Sequence, residues 1–218
     1  MYANSRTIDS AQEGPHEKLI ELVRRHRDAE FRKPITATSQ AAFDSVMAQW
    51  DRRAPLLLDA GCGVGWSTLQ LGRAHPDHFV LGVDQSEDRL TRGKPEAIPS
   101  NVFFARADLV DFWRLLLQAD IRLDRHYLLY PNPWPKVGHI SRRWHGSPVF
   151  PALLALGGRL ECRSNWSVYV EELALAIGEL TGDIPQVETF EAVEPLSPFE
   201  RKYRDSGQAL YRLVLKLP

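Results

Sequence analysis

Three consecutive leucines, Leu56 to Leu58, run into Asp59-Ala60-Gly61-Cys62-Gly63-Val64-Gly65, and an amphipathic segment begins at Trp66. Glycines at alternate positions let a backbone enter left-handed dihedrals and approach a ligand closely. An apolar run that turns through such a loop into a helical pattern is the start of a strand–helix–strand unit. The rhythm then repeats. Strands are expected at 55–59, 78–84, 101–106, 125–130, 159–163, 187–193 and 209–217. Helices are expected at 66–74, 86–93, 109–118, 149–156 and 166–180, with a proline-rich loop over 131–148. This alternation predicts an α/β chain, doubly wound about a mostly parallel sheet with helices on both faces. Such sheets take ligands beyond the carboxyl ends of their strands. Residues 36–50 read as a helix capped by Thr36 or Ser39. Residues 17–33 are a charge-mixed stretch with a thin stripe of Leu19, Leu22 and Val23, stopped at Pro34. The expected division is an N-terminal helical extension, 1–50, followed by one domain, 51–218.

Charge bounds the partners. Lys+Arg number 27 against 28 Asp+Glu, so the net charge is −1. That excludes a strongly basic nucleic-acid coat but leaves room for a local basic patch. Two cysteines, Cys62 and Cys162, are too few for a disulfide scaffold. No run reaches the roughly 18 apolar residues of a membrane span, and the first residues lack the apolar core of a signal peptide. A cytoplasmic protein is expected, as a monomer or homodimer, with no membrane partner.

Two cofactor classes occupy a glycine loop in this position. A dinucleotide site needs G-x-G-x-x-G, but counting from Gly61 or Gly63 meets Trp66 or Thr68. The pattern D-x-G-x-G-x-G instead resembles the first motif of S-adenosylmethionine-dependent methyltransferases. That cofactor carries an ammonium group and no phosphate, so Asp59 suits it. Asp84, ending the second strand, can accept from both ribose hydroxyls. Asp108, after the third strand, can accept from the adenine amine. Gln85 and Ala107 complete the expected set with Gly61, Gly63 and Gly65. Any one of these carboxylates could equally be a helix cap. Cys62 reads as a small turn residue.

The fourth strand ends in Pro131-Asn132-Pro133-Trp134-Pro135-Lys136, followed by His139 and Ser141-Arg142-Arg143. Downstream come Gly157-Gly158-Arg159-Leu160, Ser164-Asn165 with Tyr169, and Ser197-Pro198-Phe199-Glu200 with Gly207 and Tyr211. Together, over about residues 55–218, these motifs resemble the bacterial tRNA (guanine-N7)-methyltransferase family, whose hallmarks are P-D-P-W-P-K, H-x-K-R-R, G-G-x-L, T-D-x-x-x-Y and T-x-F-E. The resemblance implies a seven-stranded Rossmann-like sheet with the last strand antiparallel, S-adenosylmethionine as cofactor, and tRNA as acceptor. It places Asn132 at the transferring methyl. It places Lys136, His139, Arg142, Arg143, Ser164, Asn165, Ser197, Phe199 and Glu200 around the acceptor. Here Asn132 stands where the family has aspartate, and Ser164-Asn165 where it has Thr-Asp. Those departures keep open a changed acceptor, a small nitrogen heterocycle, and more remotely a non-catalytic module that binds RNA or cofactor.

The residues carry plainer readings too. Asn132 suits a turn, Trp134 could plug the sheet end, Arg142 and Arg143 could be a solvated loop face, and Glu200 could open a surface helix after Pro198. His139 and His145 lack a nearby Cys or carboxylate, so no metal site is expected.

Overall fold

The computed structural model describes residues 4–218. Helices α1 (Leu19–Arg27) and α2 (Ala37–Met47) come first. The alternating part then runs β1 (Leu56–Ala60), α3 (Trp66–Ala74), β2 (Phe79–Asp84), α4 (Glu87–Thr91), β3 (Val102–Arg106), α5 (Leu109–Gln118) and β4 (Arg125–Leu129). After it come α6 (Phe150–Ala155), β5 (Gly158–Ser164), α7 (Ser167–Thr181), β6 (Val187–Thr189), α8 (Pro198–Asp205) and β7 (Tyr211–Leu217). The seven strands form one sheet in the order β3-β2-β1-β4-β5-β7-β6. β7 lies antiparallel between β5 and β6; the pairs from β3 to β5 are parallel.

β1 is buried along its whole length, which is why it reads as continuously apolar. Leu56 and Leu58 enter one core with Phe79, Leu81 and Trp113, while Leu57 enters the opposite one with Leu69, Val80 and Val102. α1 and α2 share the larger core through Leu19, Val23, Phe43 and Val46. Thr36 caps α2 by accepting from the Ser39 N–H, and its hydroxyl donates to Asp111 of α5 at 2.9 Å.

Two expectations need correction. The strand expected over 187–193 stops at Thr189. β6 is an edge strand with β7 as its one neighbour, and Val193 stays 83% exposed. There the chain turns, the Val193 N–H bonding the Glu191 carbonyl. The loop expected over 131–148 contains two short 3-10 turns, Val137–Arg142 and Trp144–Gly146.

The chain order of the strands reverses direction at β1, with β2 on one side and β4 on the other. The carboxyl ends of β1 and β4 therefore flank the crevice where such a sheet binds ligands. The glycine loop leaves β1 at this place, and the Pro131–Lys136 loop leaves β4.

Candidate active site

The glycine loop is built from left-handed turns: φ is 79° at Gly61, 58° at Gly63 and 79° at Gly65. A side chain at Gly63 would meet nothing within 4 Å, and one at Gly61 only Leu109 at 3.9 Å. At Gly61 and Gly63 the loop therefore presents bare backbone to open space, whereas Gly65 is packed against Phe104. The Gly61 and Cys62 N–H groups bond the Val83 carbonyl, while the Gly63 N–H donates to Asp84 Oδ2 at 2.9 Å. Asp84 Oδ1 accepts from the Ser86 N–H at 2.8 Å. The Ala107 N–H reaches the Asp84 carbonyl, so the ends of β2 and β3 meet beside the loop. Gln85 is exposed at the same edge.

Asp59 is buried beneath the first turn of α3, where Ser67 Oγ and Thr68 Oγ1 both donate to its Oδ2 at 2.7 Å. At 1% exposure it supports the loop from below rather than lining open space. Burial raises its carboxyl from 3.8 to about 6, against the pull of the two hydroxyls and with a smaller push from Asp84. The native state thus holds the Asp59 proton more tightly than the unfolded chain does. The resulting stabilisation is full below the unfolded value and is lost as pH rises through about 6. Relative to Asp59→Asn, the protein is expected to lose about 2–3 kcal/mol of stability between pH 4 and 7. Urea midpoints of the two proteins across that range test this, and parallel curves would refute it.

Asp108 uses both oxygens within its own chain. It caps α5, its Oδ1 accepting from the Val110 N–H at 2.9 Å, and its Oδ2 takes Lys33 Nζ at 3.1 Å. The carboxylate is occupied on both sides by its own chain.

The β4 loop opens with strain. Tyr130 has φ 52° and Trp134 φ 46°, left-handed values that cost a bulky side chain on the order of 1 kcal/mol each. Asn132 is exposed, and its Oδ1 accepts from the Trp134 N–H at 3.3 Å, an Asx turn. Arg142 is exposed, its guanidinium 4.8 Å over the Trp134 ring, and His139 meets that ring edge-on. Lys136 is exposed beside them. The His139 imidazole is pushed down by desolvation and by the charges of Arg142, Lys136 and Arg143, so it stands neutral beside those three cations.

Arg143 corrects the expectation of a phosphate contact or a solvated face. It is fully buried. Nη1 donates to Glu172 at 2.5 Å, Nη2 to Gln12 at 2.9 Å, and Nε and Nη2 reach the Trp134 carbonyl at 3.3 and 3.1 Å. His145, also buried, shares Glu172 at 2.8 Å.

Glu200 likewise is fully buried rather than open to an acceptor. Its Oε1 accepts from the Tyr130 hydroxyl at 3.0 Å and from Arg163 Nη1 at 2.9 Å, while Oε2 accepts from the Leu196 N–H at 2.5 Å. Ser197 caps α8 by accepting from the Glu200 N–H, Ser164 Oγ accepts from the Trp166 N–H, and Asn165 donates to Gln208. Phe199 alone of that group is open, at 52% exposure, with its ring over Tyr203. Arg201 lies 4.1 Å over the Trp66 ring, joining α8 to the start of α3 and so to the glycine loop.

Sequence reading missed Tyr130, Arg163, Glu161, Glu172 and Gln12. One signal was present: Glu161 and Arg163 alternate on a strand whose Leu160 and Cys162 are buried, which sets two charges on one face.

Comparison with known proteins fits this geometry. The family model described as "Putative methyltransferase" matches residues 53–213. The chain belongs to that family. This methyltransferase is 28% identical to the tRNA (guanine-N(7)-)-methyltransferase of Burkholderia thailandensis, over 80% of this chain and 70% of that one. It is 27% identical to the protein of the same name from Pseudomonas savastanoi pv. phaseolicola, over 97% and 95%. A solved antibiotic-related methyltransferase superposes with a TM-score of 0.58 at 16% identity, over 85% of this chain and 97% of that chain, which fixes the fold as that of class I, Rossmann-like methyltransferases.

The methyl donor is S-adenosylmethionine. The loop fits it. A buried carboxylate, Asp59, under the N-terminus of α3 opposes an anion such as a pyrophosphate and favours a ligand that brings a positive charge. The bare backbone at Gly61 and Gly63 leaves room for close approach.

Proposed function

We propose that the methyltransferase acts on N7 of a guanine in tRNA. The observation that carries this reading is the reach of the likeness. It extends over 97% of the chain to a protein of that name, and so includes the β4 loop and α8 as well as the glycine loop. In this reading Gly61, Gly63 and Gly65 receive the cofactor, with Asp84, Gln85 and Ala107 at its ribose side, Asp108 further along and Asp59 supporting from below. Asn132 faces the methyl. Lys136, His139, Arg142 and Phe199 meet the RNA, the cations at phosphates and the aromatic ring at a base. Ser164, Asn165, Ser197, Arg143 and Glu200 serve by holding the acceptor wall in place. Residues 51–218 form the transferase unit and 1–50 its extension. A cytoplasmic setting belongs to the same proposal, supported by two free, buried cysteines.

S-adenosylmethionine supplies a methyl group activated on a sulfonium. Guanine N7 offers a lone pair and carries no proton, so no side chain need act as base. The protein's work is alignment. The purine gains positive charge as the bond forms, and Asn132 Oδ1 can offer only a dipole to it. Asn132→Asp is therefore expected to raise kcat about fivefold, and Asn132→Ala to lower it about tenfold, each with unchanged cofactor affinity. Single-turnover transfer from labelled cofactor measures both.

A small nitrogen heterocycle is the second acceptor reading, favoured by the neutral Asn132 and by Glu200 being closed. Labelled cofactor incubated with unmodified tRNA and with a small-molecule extract decides between them. Label released as 7-methylguanine from tRNA supports the first reading; label only in the extract overturns it.

A further inference from the structure

The β4 loop is held by a segment that the family model does not cover. Ser10 Oγ donates to the Pro135 carbonyl at 2.6 Å. Two residues on, Gln12 Oε1 accepts from Arg143 Nη2 at 2.9 Å while Gln12 Nε2 donates to Glu172 Oε1 at 2.5 Å. The His16 N–H adds a bond to the same oxygen at 2.9 Å. Glu172 on α7 thus binds Arg143, His145, Gln12 and His16 together. Burial alone would raise its carboxyl; bonds and charges from His145 and Arg143 hold it at about 2 instead, so it stays ionised. The far end of the chain of contacts is the Trp134 carbonyl, which takes two bonds from Arg143. Trp134 is, with Tyr130, one of two residues of this loop with left-handed φ, and its N–H holds the Asn132 side chain.

A strained backbone persists where its surroundings over-determine it. Here consecutive carbonyls, Trp134 and Pro135, are both gripped, one through Arg143 and one directly by Ser10. We infer that Glu172 and Gln12 are positioning residues for methyl transfer: through Arg143 they fix the Trp134 carbonyl and with it the angle at which Asn132 meets the reacting centre. The inference rests on the reading that Asn132 faces the methyl. It makes residues 10–16 a working part of the site although they lie before the matched span of 53–213.

Gln12→Ala is the test, because it removes one neutral partner and leaves the Arg143–Glu172 pair intact. Misplacement of this kind is expected to lower kcat about tenfold with KM for the acceptor and cofactor affinity within twofold. Hydrogen exchange over residues 132–143 is expected to quicken at least about fivefold, with the sheet unchanged. Ser10→Ala should show the same pattern more weakly. A purely structural role would lower the melting temperature and leave kcat per folded molecule alone, which would overturn the inference, as would unchanged exchange in 132–143. If the wild-type protein transfers nothing to tRNA, the acceptor reading fails. The kcat comparison then moves to the acceptor that does take label, and an unchanged kcat there, or unchanged exchange in 132–143, overturns the inference.

Discussion

Asp84→Ala is expected to weaken S-adenosylmethionine binding by at least about a hundredfold, or about 2.7 kcal/mol. The carboxylate is buried at 4% exposure and fastens two backbone donors, Gly63 N–H and Ser86 N–H, one on each oxygen. Removing it leaves two partly buried N–H groups unpaired, each worth up to about 1–3 kcal/mol. It also frees the Gly63 turn, which the cofactor needs preformed. In the proposed geometry the same carboxylate is lost to the ribose. Titration calorimetry reads the affinity directly, and thermal unfolding reports the separate cost to the fold. An affinity within threefold of wild type would take Asp84 out of the cofactor site. Asp84→Asn should fall between the two, since an amide oxygen can still accept from one side but its NH2 faces a donor on the other.

The second large effect concerns stability. Glu200→Ala is expected to cost about 3 kcal/mol. It removes a buried carboxylate from Arg163 and strips acceptors from the Tyr130 hydroxyl and the Leu196 N–H. Arg163 keeps one partner, Glu161, with Nε 2.7 Å from Oε1, which limits the loss. Burial and the Glu200 charge push the Tyr130 phenol well up, so it remains a donor at every working pH and has no alternative role when the acceptor goes. Glu200→Gln keeps the shape and about half the stability, because one amide oxygen cannot serve three donors. Chemical denaturation gives both values. A loss below about 1 kcal/mol for Glu200→Ala would show that the cluster is not what holds α8 against β4 and β5.

Much of the scaffold was legible in the chain because local chemistry marks it. α3 begins after Gly65 and α5 after Asp108, each at the expected residue, since a left-handed glycine and an aspartate cap are local signals. The glycine loop and Asp84 could be placed for the same reason. α8 was harder: its residues are mostly charged, its Phe199 is exposed and its buried member is Glu200, the reverse of an apolar stripe. Which distant charges would pair in the buried part of the site was not legible. Arg143 looks like the second of two loop arginines. Its burial is decided by Glu172, 29 residues later, and by Gln12, 131 residues earlier. A hydropathy pattern records what a residue prefers, whereas a buried ion pair records which distant partner reached it. That is why Arg142 and Arg143, adjacent and alike, end on opposite sides of the surface.

The place of β7 has a consequence for how the protein is made. It is the last of the seven strands to leave the ribosome, yet it is interior, with β5 on one side and β6 on the other. β6 has no other neighbour. During synthesis, then, β5 presents an open edge and β6 waits unpaired until residues 211–217 emerge. β1 to β5 are parallel partners that can assemble in order as they appear, while the final third of the sheet closes only by insertion. A ribosome stalled before Tyr211 would carry a nascent chain short of β7 and with β6 unpaired, leaving β5 a free sheet edge of the kind that recruits other chains.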